Sequence, residues 1–213
     1  MKIIKYVFFV AALFVSPFIK AQDSDVDEDS QECTKIFSAF SDAFENNNMD
    51  EAMGYWRQCY STCPKANVNL YINGAKVIET LIKNEQNATR KSELVDTLML
   101  LYDARIANFG QEGKVLGYKA EDMYDYLSSK LDDTYETLQK SVQLEAKKTR
   151  GGVASLYFKV AVDKYKKRQI LKEEAINVYG VARDIIDYNL AKDSTDKFYK
   201  AAKRDVDALY AKE

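Results

Sequence analysis

Apolar side chains recur at intervals of three and four residues from Ser30 almost to the end of the chain. This interval places them along one face of an α-helix. No segment alternates apolar and polar residues with a period of two, so the pattern does not indicate strands. Short polar segments interrupt the pattern and are expected to be tight connections. The sequence therefore predicts an all-α protein of about nine helices, in which successive helices pack as antiparallel hairpins.

The polar segments also set the predicted helix boundaries. The first helix carries the stripe Ile36, Phe37, Phe40 and Phe44, and it is expected to end at the three asparagines 46–48. The later helices are predicted at residues 49–62, about 67–84, 92–109, 118–129, 132–147, 154–167, 172–190 and 194 to near the end of the chain. The glycines at 110 and 113, and those at 151 and 152, are interpreted as loop residues. With 2 prolines and 8 glycines in 213 residues, long helices are favoured.

Residues 1–21 have the three-part layout of a secretory signal peptide. Lys2 and Lys5 begin the segment, an apolar run follows at residues 6–15, and the small residue Ala21 precedes the expected cleavage point. The alternative is a membrane anchor, but the run is shorter than the ~20 apolar residues that span a bilayer. We therefore expect a periplasmic or secreted protein with no membrane-inserted segment after cleavage.

Acidic residues dominate the segment that follows the expected cleavage point. Residues 22–29 carry so many carboxylates that a flexible acidic leader is predicted, with the folded domain at 30–213. Three of the 31 basic residues lie in the signal peptide, which leaves 28 basic and 33 acidic side chains, a net charge of -5. A chain of that sign is a poor candidate for nucleic-acid binding, which needs concentrated positive charge.

One helix carries the spacing of a tetratricopeptide (TPR) repeat. In the second helix of such a repeat, a small residue is followed four positions later by an aromatic residue and three positions after that by another small one. Ala52, Trp56 and Cys59 have this spacing, and Pro64 ends the helix. Weaker copies of it occur at Ala175, Tyr179 and Ala182, and at Ala120, Tyr124 and Leu127. Together they favour a repeat solenoid over a simple helical bundle.

Longer stretches resemble the secreted TPR-like proteins of Bacteroidota. The resemblance includes Cys33, and Gly74 in a first-helix pattern of the repeat. Its other stretches are residues 55–64, 69–78, 96–120, 155–165 and 184–190, so it covers nearly the whole chain after the signal peptide. It implies an exported, all-helical, non-catalytic protein, and it implies little about the ligand.

Three cysteines in an oxidising compartment permit one intramolecular disulfide. Cys33 lies near the start of the first helix and Cys63 at the end of the second, and these two ends are neighbours in an antiparallel hairpin. A Cys33–Cys63 bridge is therefore expected, with Cys59 as a free, buried thiol. The alternative pair, Cys59 and Cys63, spans one helical turn and separates the Cβ atoms by ~5–6 Å, which is long for a disulfide.

The sequence offers no established catalytic or cofactor-binding motif. It contains no histidine, which removes the commonest metal ligand and the commonest general base at neutral pH. We therefore expect no cofactor, no metal site and no catalytic residue. An enzyme acting on envelope polymers stays open as an alternative, since such a site needs a carboxyl of raised pKa in a cleft. Glu79 and Glu112 are the weak candidates.

Two groups of residues are predicted to contact a partner. The first is Tyr102, Asp103 and Arg105, because an arginine beside aromatic rings can hold a carboxylate or a peptide end. An internal Asp103–Arg105 ion pair beside core aromatics is the other interpretation. The second group follows from the repeat register, since solenoids bind partners on the surface formed by their first helices. Its members include Phe44, Tyr71, Lys164, Lys167 and Arg168, with Ser41, Glu79 and Tyr157 as neighbours.

The predicted function is an exported, non-catalytic scaffold or adaptor that binds a protein or peptide partner in the cell envelope. The polymer-acting enzyme is one alternative. A structural subunit of a periplasmic or outer-membrane complex is another, and it would associate through its last, uncovered helix.

Overall fold

The computed structural model describes residues 25–212, so the predicted signal peptide and residues 22–24 lie outside the described residues. Nine α-helices make up most of the described part of the chain, and no strand occurs in it. They are α1 (Asp25–Glu45), α2 (Met49–Thr62), α3 (Asn69–Asn84), α4 (Ala88–Phe109), α5 (Glu112–Tyr126), α6 (Leu131–Glu145), α7 (Gly151–Lys166), α8 (Lys172–Lys192) and α9 (Lys197–Tyr210). The prediction of an all-α protein of about nine helices is confirmed.

The helices pair in order along the chain. The hairpins are α1 with α2, α3 with α4, α5 with α6 and α7 with α8, while α9 packs on both α7 and α8. We call the first member of each hairpin a first helix and the other a second helix. Between residues 25 and 212, no helix combines the length and the apolar character needed to cross a bilayer.

Two hydrophobic cores lie along this solenoid. The N-terminal core is formed by α1 to α4 together with Val115 of α5, and its buried members run from Ile36 to Val115. The C-terminal core is formed by α5 to α9, and its buried members run from Ala120 to Val206. Helix α5 therefore contributes to both cores and lies at their boundary.

The disulfide joins Cys33 of α1 to Cys63 at the end of α2, with the two Cα atoms 5.8 Å apart. The bridge therefore closes the open end of the first hairpin, as predicted. Cys59 is free and fully buried, and burial raises the pKa of its thiol. Its place in the repeat is thus that of a small packing residue.

Trp56 connects the first hairpin to the second. Its indole Nε1 donates a hydrogen bond to the Leu70 carbonyl at 3.1 Å. The ring lies against Gly74, where a Cβ would collide with the indole nitrogen and approach Cδ1 to 2.8 Å. Only a residue without a side chain lets α3 come this close to the tryptophan.

The third copy of the repeat spacing does not mark a second helix. Ala120 and Tyr124 lie on α5, which is the first helix of its hairpin, so that copy reflects ordinary helix packing. The copy that begins at Ala175 does lie on a second helix, α8.

Helix α5 begins at Glu112, six residues earlier than predicted. Gly113 and Gly117, which were expected near a loop, are buried within this helix. A Cβ at Gly113 would lie 2.8 Å from the Cβ of Leu144, and a Cβ at Gly117 would lie 3.1 Å from the Ser141 hydroxyl oxygen. These glycines therefore allow close contact between α5 and α6, and the interpretation of Gly113 as a loop residue was wrong.

The same correction applies to α7, which begins at Gly151 and not at Ala154. A Cβ at Gly151 would lie 3.2 Å from the Cβ of Ala202 on α9. This glycine thus allows α9 to pack closely against α7.

Two further helices begin earlier than predicted. Helix α1 extends back to Asp25, so residues 25–29 of the predicted flexible leader are helical. Helix α4 begins at Ala88 because the side chain of Asn87 accepts a hydrogen bond from the Arg90 amide at 3.0 Å. This is the N-cap interaction that asparagine provides to the first turn of a helix.

Candidate partner-binding surface

We call the surface formed by the four first helices the first-helix face; helix α1 packs against α3 there, and α5 packs against α7. On α1 and α3, the ammonium group of Lys76 lies 5.9 Å from the centre of the Phe44 ring. On α5 and α7, the Tyr124 hydroxyl donates a hydrogen bond to Asp163 Oδ2 at 2.9 Å. We define the face by the residues Phe44, Lys76, Glu79, Glu121, Tyr124, Asp125, Arg150, Lys159 and Asp163.

Carboxylates occupy the middle of this face. Glu79 projects from α3, while Glu121 and Asp125 project from α5. Burial raises the pKa of the Glu79 carboxyl; Lys83 and Lys76 lower that pKa, and the two carboxylates on α5 raise it. The three acidic groups are thus electrostatic neighbours across the boundary between the second and third hairpins.

Aromatic rings hold the cations of the face in place. The Arg150 guanidinium lies 4.0 Å from the centre of the Tyr118 ring, and its Nη2 donates a hydrogen bond to Glu121 Oε2 at 2.6 Å. The Lys159 ammonium lies 4.6 Å from the centre of the Tyr124 ring. Such contacts fix long side chains and leave their charges available. The face therefore presents apolar rings together with charges of both signs.

Four of the predicted contact residues remain accessible to a partner. Phe44 is half-buried on the first-helix face, and Lys167 and Arg168 are exposed at the end of α7. Asp103 is exposed on α4, and its carboxylate pairs with the Lys119 ammonium at 2.5 Å. The internal Asp103–Arg105 ion pair that was the other interpretation is therefore not formed.

Tyr71 is fully buried and cannot contact a partner. Its hydroxyl donates a hydrogen bond to the Pro64 carbonyl at 2.9 Å and accepts one from Asn108 Nδ2 at 2.7 Å. Its ring lies edge-on to Phe109, with the ring centres 5.5 Å apart. The structure thus corrects this prediction: Tyr71 ties the start of α3 to the end of α4.

Tyr102 and Arg105 are also buried, so the prediction that they contact a partner is wrong. The Tyr102 hydroxyl donates a hydrogen bond to Asp122 Oδ2 at 2.6 Å. The Arg105 guanidinium lies 5.8 Å from the centre of the Tyr118 ring, and its burial lowers its pKa. Burial also raises the pKa of the Asp122 carboxyl to about 7. Tyr102 and Arg105 therefore face the neighbouring helix α5 and not the solvent.

Lys164 is the fourth predicted contact residue that is buried. Its ammonium pairs with the Asp132 carboxylate and lies 5.0 Å from the centre of the Tyr135 ring. These contacts join α7 to α6, so this lysine is also unavailable to a partner.

The sequence interpretation missed Asp122 and most of the first-helix face. A usable pattern was present, because Val115, Tyr118 and Asp122 follow one another at intervals of three and four residues. A carboxylate in such a stripe faces the same neighbour as the apolar residues do. The stripe was not recognised because the helix was predicted to begin only at Tyr118.

Both glutamates considered for catalysis have a lysine ammonium beside them. Glu79 lies 4.0 Å from the Lys83 ammonium, and Glu112 pairs with the Lys140 ammonium at 2.5 Å. Their side chains are 29% and 42% exposed, so neither carboxyl is isolated in an apolar cleft. Among the described residues, no three histidine, cysteine or acidic side chains are placed to hold a metal ion together.

Comparison with known proteins identifies the fold. No protein family and no curated protein matches the sequence. Solved structures do match, among them the crystal structure of a thermophilic TPR protein from Thermus thermophilus. The similarity has a TM-score of 0.55 and covers 87% of this chain and 85% of that chain at 10% sequence identity. The chain therefore has a TPR-like helical-hairpin solenoid fold, which confirms the fold class predicted from the repeat spacing.

Proposed function

We propose that this protein is a non-catalytic scaffold that binds a protein or peptide partner on its first-helix face. The observation that carries the proposal is the set of aromatic and charged side chains that the first helices present together. Glu79 of α3 is an electrostatic neighbour of Glu121 and Asp125 of α5. Half-buried rings such as Phe44 and Tyr124 offer apolar contact, and the flanking charges offer pairing to a partner of mixed charge. Solenoids of stacked helix pairs bind partners on extended surfaces of this kind.

Photo-crosslinking from defined positions tests this proposal. We would place a photoreactive amino acid at Lys76 or Asp125, which are exposed on the first-helix face. The matched controls are Gln58 on α2 and Glu136 on α6, which are exposed on second helices. We expect a crosslinked partner from the first two positions and none from the controls. Equal crosslinking from both sides, or none from either, would contradict the proposal.

The same proposal places the protein outside the cytoplasm, in the periplasm or secreted, as a member of the secreted TPR-like proteins of Bacteroidota. The signal-peptide pattern of residues 1–21 supports export, and so does the Cys33–Cys63 disulfide, because such bonds persist in oxidising compartments. N-terminal sequencing of the protein from fractionated cells provides the test. We expect a mature chain that begins near Gln22, and an intact Met1 in the cytoplasmic fraction would contradict export.

A structural subunit is the second candidate, and the exposed apolar residues of α9 favour it. Phe198 is 69% exposed and Tyr210 is 43% exposed. If α9 mediates self-association, the mass in solution will be a multiple of that of one chain, and the substitution Phe198→Ser will return it to one chain. A monomer at every concentration would exclude this candidate and leave the scaffold proposal intact.

A further inference from the structure

Most of the buried charged side chains of the described residues lie in the interface between α4 and α5. Three charged side chains are buried among the residues whose side chains the structure describes, and two of them lie in this interface. They are Arg105, which is 5% exposed, and Asp122, which is 9% exposed. The third, Lys164, pairs with a carboxylate on α6. A buried charge is costly unless a partner compensates it, so the surroundings of these two residues matter.

Four side chains form two contacts across the interface. Tyr102 and Arg105 lie three residues apart on α4, and Tyr118 and Asp122 lie four residues apart on α5. Tyr102 contacts Asp122 at 2.6 Å, and Arg105 contacts the Tyr118 ring at 5.8 Å. At a rise of ~1.5 Å per residue, the two contacts are separated by about one helical turn, or ~5 Å.

The buried cation and the buried carboxyl are therefore close along the helices but are not paired. Within residues 30–212, Arg105 Nε is the one buried side-chain nitrogen or oxygen without a hydrogen-bond partner. Asp122 accepts its hydrogen bond from Tyr102. The interface thus contains a cation that lacks a counter-charge and a carboxyl that is stable without one.

Asp122 favours its neutral, protonated form because it is buried and because other acidic groups lie near it. Tyr102 of α4 and Glu79 of α3 face it from the neighbouring helices, and Glu121 and Asp125 face it from its own helix. Burial first, and then these carboxylates, raise its pKa to about 7, while the hydrogen bond from Tyr102 lowers it. The charge of this carboxyl therefore changes near neutral pH.

The same interface sets the relation between the two halves of the solenoid. The N-terminal core extends across this interface to Val115 of α5, and the C-terminal core begins at Ala120 of the same helix. Helices α4 and α5 pack less extensively than any other two consecutive α-helices in the described chain. Their connection is short and contains Gly110 and Gln111, both with positive φ.

We propose that the α4–α5 interface is a joint of the solenoid, and that the proton on Asp122 selects its setting. With the proton present, the neutral carboxyl stays buried against Tyr102 and the two halves keep the orientation seen here. When the proton leaves to solvent, the carboxylate repels Glu79, Glu121 and Asp125. Arg105 lies in the same interface, and its Nε has no hydrogen-bond partner. Pairing with Arg105, or reaching water, requires α4 and α5 to shift along or away from each other.

This inference goes beyond the proposed function, because the joint can be measured without a partner. Its consequence for the first-helix face is direct. Glu79 lies on one side of the joint, and Glu121 and Asp125 lie on the other, so a change of setting alters the spacing of the groups that a partner would meet.

Two measurements on the whole protein test the joint. Carbon-13 NMR of the Asp122 carboxyl reports its protonation, and small-angle X-ray scattering reports the shape, from about pH 5 to about pH 9 at fixed ionic strength. We expect the carboxyl to titrate with a midpoint near 7, and the scattering profile to change with the same midpoint. A carboxyl that titrates like an ordinary aspartate, or a profile that does not change with pH, would overturn the proposal.

Variants identify the groups involved. Asp122→Asn keeps the shape of a neutral carboxyl, so its scattering profile is expected to stay at the acidic setting at every pH. Glu136→Gln, at an exposed position on α6, is the matched control and is expected to keep the transition. A transition that survives in Asp122→Asn would overturn the assignment.

If Asp122→Asn does not fold, Tyr102→Phe replaces it in the test. That change removes the donated hydrogen bond, so the midpoints of both measurements should rise together. A raised carboxyl midpoint with an unchanged scattering profile would show that protonation is not linked to shape. Arg105→Met is expected to raise the midpoint as well, and an unchanged midpoint would exclude Arg105 as the counter-charge.

Discussion

The N-terminal and C-terminal halves of this solenoid reach the same hairpin packing with different chemistry. In the N-terminal half, one large side chain fills the space between hairpins, because Trp56 lies against Gly74 and bonds the Leu70 carbonyl. The Cys33–Cys63 disulfide also closes the first hairpin covalently. This half is therefore held by a few strong and specific contacts.

The C-terminal half relies on close approach between helices. Gly113 and Gly117 bring α5 against α6, and Gly151 brings α7 against α9. Ion pairs add to these contacts, as where Arg183 of α8 pairs with Asp207 of α9. This half is therefore held by many small contacts, each of which depends on the position of a neighbouring helix.

The difference explains why the repeat spacing is clearest in the N-terminal half and weaker in the copy at Ala175, Tyr179 and Ala182. A tryptophan between small residues leaves a pattern that can be read in one segment of sequence. In the sequence, a glycine that allows close contact with a neighbouring helix cannot be distinguished from a glycine that ends a helix. The four predictions that follow test this contrast, beginning with the largest expected effect.

The largest effect is expected from Trp56→Ala, because the N-terminal half concentrates its inter-hairpin contact in this ring. The change leaves a cavity beside Gly74 and removes the hydrogen bond to Leu70. We expect the free energy of unfolding to fall by about 3–5 kcal/mol. Chemical denaturation followed by circular dichroism measures it, with Gln58→Ala on the exposed side of α2 as the control. A loss as small as that of the control would show that the contact is dispensable.

Loss of the disulfide should affect the N-terminal half nearly as much. Cys33 and Cys63 are 30 residues apart in sequence, and a bridge over a loop of that length stabilises a protein by ~3 kcal/mol. We expect Cys33→Ser combined with Cys63→Ser to lose about this much stability, and wild type in reductant to lose the same. Cys59→Ala keeps the bridge, so its stability should remain sensitive to reductant. Insensitivity of the wild type to reductant would contradict the expectation.

The boundary between the halves should show a pH dependence of stability. The folded-state pKa of Asp122, about 7, lies above the ordinary value for aspartate. The protonated carboxyl therefore adds stability at acidic pH, and this contribution is lost as the pH rises through about 7.

Asp122→Asn should remove that contribution to the pH dependence. We expect the change in unfolding free energy between about pH 5 and about pH 8 to shrink by about 2–3 kcal/mol relative to wild type. Urea denaturation at the two pH values measures this, with Glu136→Gln at an exposed position on α6 as the control. An identical pH dependence in wild type and Asp122→Asn would exclude the assignment.

The smallest effect is a gain that should be equal in both halves. Gly54 in α2 and Gly180 in α8 lie inside exposed helical segments, and a Cβ at either position would meet no atom within 4 Å. Alanine at each should therefore raise the free energy of unfolding by about 0.5–1 kcal/mol. Gly74→Ala and Gly113→Ala are the contrasting variants, and both should lower it, because a Cβ at either position would lie less than 3.0 Å from a neighbouring side chain. A loss at position 54 or 180 would show that those glycines have contacts of another kind.

The helix count, the disulfide and the Trp56 contact could be predicted because each depends on periodicity or spacing within a short segment. The starts of α5 and α7 could not, because the role of Gly113 or Gly151 depends on which helix lies opposite. The tendency of glycine to end a helix is outweighed where a neighbouring helix occupies the space that a side chain would fill.

The candidate surface was less predictable than the fold. A helical spacing shows that a residue lies on a given face of its own helix, but it does not show whether that face meets solvent or another helix. The residues that proved to be buried are Tyr71, Tyr102, Arg105 and Lys164. Phe44, Asp103, Lys167 and Arg168 have the same character and remain accessible. What separates the two sets is whether a neighbouring helix covers the residue, which a single sequence does not reveal.

The order of helix contacts has a consequence for how the chain acquires its structure. Every helix of the described chain packs only against helices one or two positions away in sequence. No contact has to wait for a distant segment, which is the condition for rapid folding from local nuclei. Both helices of the first hairpin and both of its bridging cysteines are present once the chain has been synthesised to Cys63. We therefore expect this hairpin to fold, and to bring Cys33 and Cys63 together, before the second half of the chain has been synthesised.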